Sequence, residues 1–253
     1  MNRVSELFFN LKGWRAWAPD RETLDAWQGW AGRSVASTAN SEAWPEPAVI
    51  PMMLRRRAGN LGQRAIATAL SCGAAEDRYI FASRHGEMTR TVGVLGELAE
   101  NAALSPTEFS MSVHHALAGL LSIHTGNRQG HTAVAAGADT FACGLLDALT
   151  IIATDPGASV LLVFYDAPLP DAYGEIETPG DLAAPLVLAL RLASPEADAP
   201  VYAFSTAPAA TNGAGRLVAT DAAPLDFLRF LLGNTATARS AGTRNDWQWR
   251  RVA

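Results

Sequence analysis

Side chains able to act as nucleophiles, acid–base groups or metal ligands are few and unevenly spread along this chain. There are two cysteines, Cys72 and Cys143, and five histidines, His85, His114, His115, His124 and His131. A cysteine carries acyl groups only as a thiolate, which needs a helix N-terminus or a cationic neighbour to lower its pKa. Cys72 falls on one helical stripe with Leu61, Ala65 and Ala69, which makes it a core residue. Cys143 lies inside a second helical pattern; its plain reading is a small buried helix residue and its sharper reading a nucleophile. His114 and His115 are adjacent, so they diverge by about 100° on a helix. No acid or cysteine stands at ligand-like spacing from them, so no metal and no cofactor is expected. Two cysteines also make no disulfide framework.

Other chemistry is excluded in the same way. Gly213-Ala-Gly215 lacks the third glycine and the strand-to-helix setting of a phosphate loop. No Gly-x-Ser-x-Gly elbow occurs. The cluster Arg55–Arg57 is either a solvated helix start or a basic patch for an acidic carrier protein. The formal charge of −5 gives no support to a nucleic-acid partner. Charged residues make up 18% of the 253 residues, below the usual quarter, which points to surface buried in the fold or against a partner. Glu6, Lys12 and Arg15 interrupt the N-terminal segment, so no signal peptide is expected. Val160–Phe164 and Leu186–Leu192 are too short to span a bilayer. The cytoplasm is the expected location.

These residues must be positioned by alternating strands and helices. Leu7–Leu11 reads as a strand, residues 20–32 as a surface segment with Trp27 and Trp30, and residues 34–50 as a Ser/Ala/Pro-rich loop. Helical spacing runs over 61–72, with Gly73 at its stop, and Tyr79–Ser83 is a short strand. Helices are predicted near Val92–Ala103 and over Val113–His124, the latter capped by Gly126. Thr132–Ala136 reads as a short buried strand of small residues, Gly137 allows a sharp turn, and a helix covers Thr140–Ala153. Val160–Phe164 is a buried strand and Pro168–Pro179 a loop. Pro185–Leu192 and Val201–Phe204 read as two strands paired with each other. Pro224–Leu232 is a helix stopped by Gly233, and Trp247 and Trp249 share one face if the tail is extended. The alternation predicts a layered α/β fold.

The stretch Phe109 to Ala167 carries the most specific pattern. It holds Ala118–Gly119, Leu121–Ser122–Ile123 and Gly126 on a helix, Gly130 to Ala136 in a loop and strand, and Val160–Phe164 in the next strand. It resembles the ketosynthase segment in which a helix of the form N-x-x-A-G-x-L-S-I ends in a glycine loop. There a buried strand then leads to a turn holding the catalytic cysteine at the start of a long helix. The helix at 61–72, the strand at 79–83 and Asp181–Leu192 fit the same order, so the resemblance covers roughly residues 45–205.

The resemblance implies a thiolase-like α/β/α fold, the single N-terminal-type lobe of a β-ketoacyl synthase, over residues 1–205. Residues 206–253 are then a C-terminal extension packing on the same domain. No His-Gly-Thr-like segment and no histidine follow residue 205, so the histidines of the second lobe are missing, and that lobe with them. The nucleophile position is occupied by Ala138, followed by Asp139; alanine brings no sulfur, and the acid opposes a malonyl carboxylate. Cys143, five residues on, would be rotated by about 140° from the turn.

The implied role is a non-catalytic, chain-length-factor-like subunit of the aryl polyene type, bound as a heterodimer to a catalytic ketosynthase and meeting an acyl carrier protein transiently. The alternative is an active thiolase-type enzyme using Cys143 or a shared site. Phe109, Ser112 and His115, which holds the place of the family's helix asparagine, are candidates to line the acyl tunnel. Thr132, Val134 and Ala136 are candidates for the strand that pairs with the partner.

Overall fold

The computed structural model describes residues 6–32, 49–73, 75–173, 176, 182–209 and 222–252. Residues 34–48 of the expected loop, Asp181, most of 174–179 and Gly213–Gly215 lie outside the described residues. The elements are β1 (Leu7–Trp17), α1 (Leu24–Trp30), α2 (Met52–Arg57), α3 (Asn60–Leu70), β2 (Arg78–Ala82), α4 (Met88–Ala99), α5 (Pro106–Met111), α6 (Ala116–Thr125), β3 (His131–Val134), α7 (Thr140–Thr154), β4 (Ser159–Asp166), β5 (Leu186–Ala193), β6 (Val201–Pro208), α8 (Ala223–Leu232), β7 (Thr237–Ser240) and β8 (Asn245–Val252).

One eight-stranded sheet runs in the order β3-β2-β4-β5-β1-β6-β8-β7. β2 pairs parallel with β3 and β4, and every other pair is antiparallel. The reason lies in β4, whose residues are buried on both faces. Val160, Leu162 and Phe164 enter one apolar layer with α7 and α8. Leu161, Val163 and Tyr165 enter the other with α3 and α6. A strand without a polar face must be covered on both sides, so the sheet is sandwiched between helices.

The expected architecture stands, with local corrections. β5 and β6 are not partners: β1, longer than its apolar start suggested, lies between them and pairs with both. Residues 24–30 form a helix, and Trp27 is fully buried, donating from Nε1 to the Ala16 carbonyl at 3.0 Å. α4 begins four residues earlier than its apolar pattern, α6 begins three residues later than expected, and a separate, unexpected α5 precedes it. Ser105 caps α5 and Pro106 opens it, a start signal that the apolar spacing hid. β3 is an edge strand with exposed His131 and Thr132, not a buried one. Gly126 ends α6 at φ 68° as expected. The one stretch apolar and long enough to cross a membrane among the described residues, Gly137–Thr154, contains α7, whose Phe141, Leu145, Leu149 and Ile152 are buried in the core.

Candidate functional site

β3 ends at Val134, and the chain then turns sharply. Gly137 takes φ 59°, a conformation that costs glycine nothing. The Thr140 hydroxyl accepts from the Ala136 amide at 2.9 Å and donates to the Gly137 carbonyl at 2.7 Å, tying the turn to the start of α7. Ala138 sits at this elbow, half-buried. It walls a cavity of about 10 Å³ together with Arg84, His85, Phe141, Phe164, Asp166 and Leu182. That is room for about one water, and Ala138 presents a methyl group to it.

The cysteines do not repair this. Cys143 is half-buried against the α7 layer, and burial, reinforced by the Asp139 charge, pushes its thiol upward. Cys72 donates weakly to the Ala189 carbonyl at 3.6 Å, and burial pushes its thiol up to about 11. Neither setting favours a thiolate. Asp139 itself is engaged with the tail: its carboxylate accepts from the Trp247 indole N–H at 2.8 Å and from the Thr243 amide at 3.1 Å.

Asp166 is a site residue that sequence reasoning missed. It closes β4 and accepts from the amides of Arg84 at 2.9 Å and His85 at 3.2 Å, and from the Ser83 hydroxyl at 3.4 Å. Burial raises its pKa, while these amides pull it back down. The acid thus fixes the turn after β2 beside the elbow, at the carboxyl ends of the parallel strands. The signal was an acid directly after a continuous apolar run.

The same turn walls a cleft of about 960 Å³. Arg55, Arg56 and Arg64 line it with Glu87, Arg90 and Glu108. Arg90 bridges Glu108 and donates to the Arg57 carbonyl at 2.9 Å. Glu87 lies 3.8 Å from Arg90, and its pKa is raised by burial, which Arg90 only partly offsets.

The expected interface residues fall on one side of the molecule. α5 touches α6, and α6 touches β3. Phe109 is 63% exposed, and nearby Val113, Ile123, Leu95 and Leu98 are exposed too. His115 is exposed, its ring stacked 6.5 Å from that of His131. Ser112 and Val134 are half-buried, and Thr132 and Ala136 exposed. The carbonyls of Gly130 and Val134 accept from the amides of Tyr79 and Ser83. By the alternation of a parallel ladder, the backbone groups of His131 and Ala133 therefore face away from β2, on the open edge.

A family model described as the N-terminal domain of β-ketoacyl synthase matches residues 27–250. Among solved structures, the chain is similar to a ketosynthase (ApeO) in complex with its chain length factor (ApeC) from Xenorhabdus doucetiae. The match has a TM-score of 0.79 at 27% identity and covers 97% of this chain and 100% of that one. It also shares its fold with the ishigamide ketosynthase/chain length factor, with a TM-score of 0.62 at 14% identity, over 80% of this chain and 67% of that one. A third likeness of fold is to AntDE:AntF, a type II acyl-carrier protein in complex with its ketosynthase bound to the hexaketide. Its TM-score is 0.59 at 13% identity, over 80% and 69% of the two chains. A search of curated proteins finds no match.

Proposed function

The chain belongs to the family of β-ketoacyl synthase N-terminal domains, and on that premise we propose that it is the non-catalytic, chain-length-factor-like partner of a catalytic ketosynthase. One observation carries this: the elbow that would hold the family's cysteine holds Ala138, in a cavity the size of one water. The chain supplies fold and surface rather than a nucleophile. Its similarity at 27% identity to a ketosynthase and chain length factor complex supports the same reading.

In this proposal β3, the strand that carries Thr132 and Val134 and leads into Ala136, pairs with the matching strand of the ketosynthase through the outward backbone groups of His131 and Ala133. Main-chain hydrogen bonds extend the sheet, and apolar burial holds the heterodimer. Phe109, Ser112 and His115 then meet the growing acyl chain between the subunits, and bulk at these positions stops elongation by exclusion. The product class is polyene or fatty-acid-type polyketide, of the aryl polyene kind. An acyl carrier protein visits transiently, with Arg55–Arg57 as its basic contact, and the complex works in the cytoplasm. We take residues 206–253 as an extension packing on the lobe of residues 1–205. The pairing of β8 with β6 and the burial of Trp247 and Trp249 in the α7 layer support packing on the same domain.

Co-expression with a catalytic ketosynthase from the same source, followed by size-exclusion chromatography, tests the proposal. A single peak with both chains in equal amounts is expected; separate elution of the two would overturn it.

A further inference from the structure

β3 offers a partner only four residues, His131–Val134. A stable interface takes roughly 800 Å² and about 20–30 residues from each side, so a strand edge of this length cannot hold a subunit alone. The remainder must come from elements packed beside the strand. α6 packs on β3, α5 on α6 and α4 on α5. Each of these helices carries exposed apolar side chains: Ile123 on α6, Phe109 on α5, Leu95 and Leu98 on α4.

α4 differs from the other long helices of the described residues. α3, α6, α7 and α8 each bury five residues or more, whereas none of the twelve residues of α4 is buried. Leu95 and Leu98 are three apart, so they share a face, and they are 48% and 58% exposed. Gly93 and Gly96 have nothing within 4 Å of where a Cβ would stand, so no described residue packs on that flank of the helix. Glu97 is the only charged residue from Thr91 to Ala99, and it is half-buried. Apolar side chains with few charges make up the buried centre of an interface. The root of the helix is nonetheless fixed: Arg90 bridges Glu108 of α5 and donates to the Arg57 carbonyl at 2.9 Å.

We propose that α4, centred on Leu95 and Leu98, is the main apolar docking face for the ketosynthase, continuing from the β3 edge across α6 and α5. A subunit whose strand joins β3 lies along this row of helices, which supplies the area that the strand lacks. The inference rests on the proposed ketosynthase partnership and adds to it the surface that carries the affinity, with β3 setting the register.

The test compares wild type with Leu95→Glu plus Leu98→Glu against a catalytic ketosynthase from the same source. Kd is read by biolayer interferometry, Tm by thermal melt and the state of the chain alone by analytical ultracentrifugation. Neither leucine is buried, so Tm should stay within about 2 °C of wild type. Kd should rise at least about 100-fold, because two carboxylates would lose water against an apolar partner. Leu95→Ala plus Leu98→Ala, which adds no charge and favours the helix, should raise Kd about ten-fold. A wild type that binds, with both double variants binding at unchanged Kd, would overturn the inference and leave the partnership standing. A wild type that does not bind would sink the proposed function and this inference with it. A chain that self-associates on its own, and that the double glutamate variant returns to monomer, would assign the face to a second copy and equally overturn the inference.

Discussion

Replacing Ala133 with proline separates partner binding from folding. Its N–H faces away from β2, since the carbonyls of Gly130 and Val134 on either side bond inward. Proline removes that outward donor and fills its place with a ring. Inside the chain no ladder bond is lost, so the stability cost should stay below about 1 kcal/mol. At the proposed interface the lost bond costs about 1 kcal/mol, and the partner carbonyl left unsatisfied in a buried sheet costs about 2 more. The sum of about 3 kcal/mol weakens binding roughly 100-fold. Val134→Pro is the control: its N–H points toward β2, so it should destabilise the chain itself by about 1–3 kcal/mol. Kd for the ketosynthase by biolayer interferometry and Tm by thermal melt read the two effects. An Ala133→Pro protein that folds and binds with unchanged Kd would refute β3 pairing.

Three further outcomes follow from other parts of the fold. Gly144→Ala puts a Cβ 2.9 Å from Ala82 Cβ and 3.1 Å from Leu162 Cδ1, so α7 must shift off the sheet at a cost of about 1–3 kcal/mol, read as a lower Tm. Burial raises the Glu87 pKa above its unfolded value. Its stabilising contribution is thus fully present below the unfolded pKa and is lost as pH rises through the folded pKa. Glu87→Gln removes this dependence, so the Tm gap between the two proteins should move in the wild type's favour as pH falls from about 7.5 to about 4; a gap that stays flat would contradict the assigned burial cost. Arg55→Glu with Arg56→Glu should weaken acyl carrier binding in a pull-down while leaving the heterodimer peak unchanged.

The layered fold was legible because β4 and α7 carry unbroken apolar patterns whose periods differ, and because Gly126 and Gly137 punctuate them. The sharp turn at Gly137 between β3 and α7 was legible from order along the chain: strand, glycine, helix. β1 was harder, because Lys12 and Arg15 break its alternation while the strand continues through them, shielded by neighbours on both sides. The pairing of β6 was misread for the same reason: sequence adjacency favours β5, but β1 returns to take the place between them. Trp27 looked like a surface residue because only the Ala16 carbonyl, eleven residues away, explains where its N–H goes. Asp139 and Asp166 carried signals of type but not of partner. Their roles depend on amides brought from 104 and 82 residues away, which no local pattern encodes.

The claim that this polypeptide carries no acyl group of its own is tested most directly by intact-mass measurement of both subunits after the reconstituted complex meets an acyl-loaded carrier. The account predicts the acyl mass on the ketosynthase subunit alone. An acyl adduct on this chain, mapped to Cys143, would contradict it.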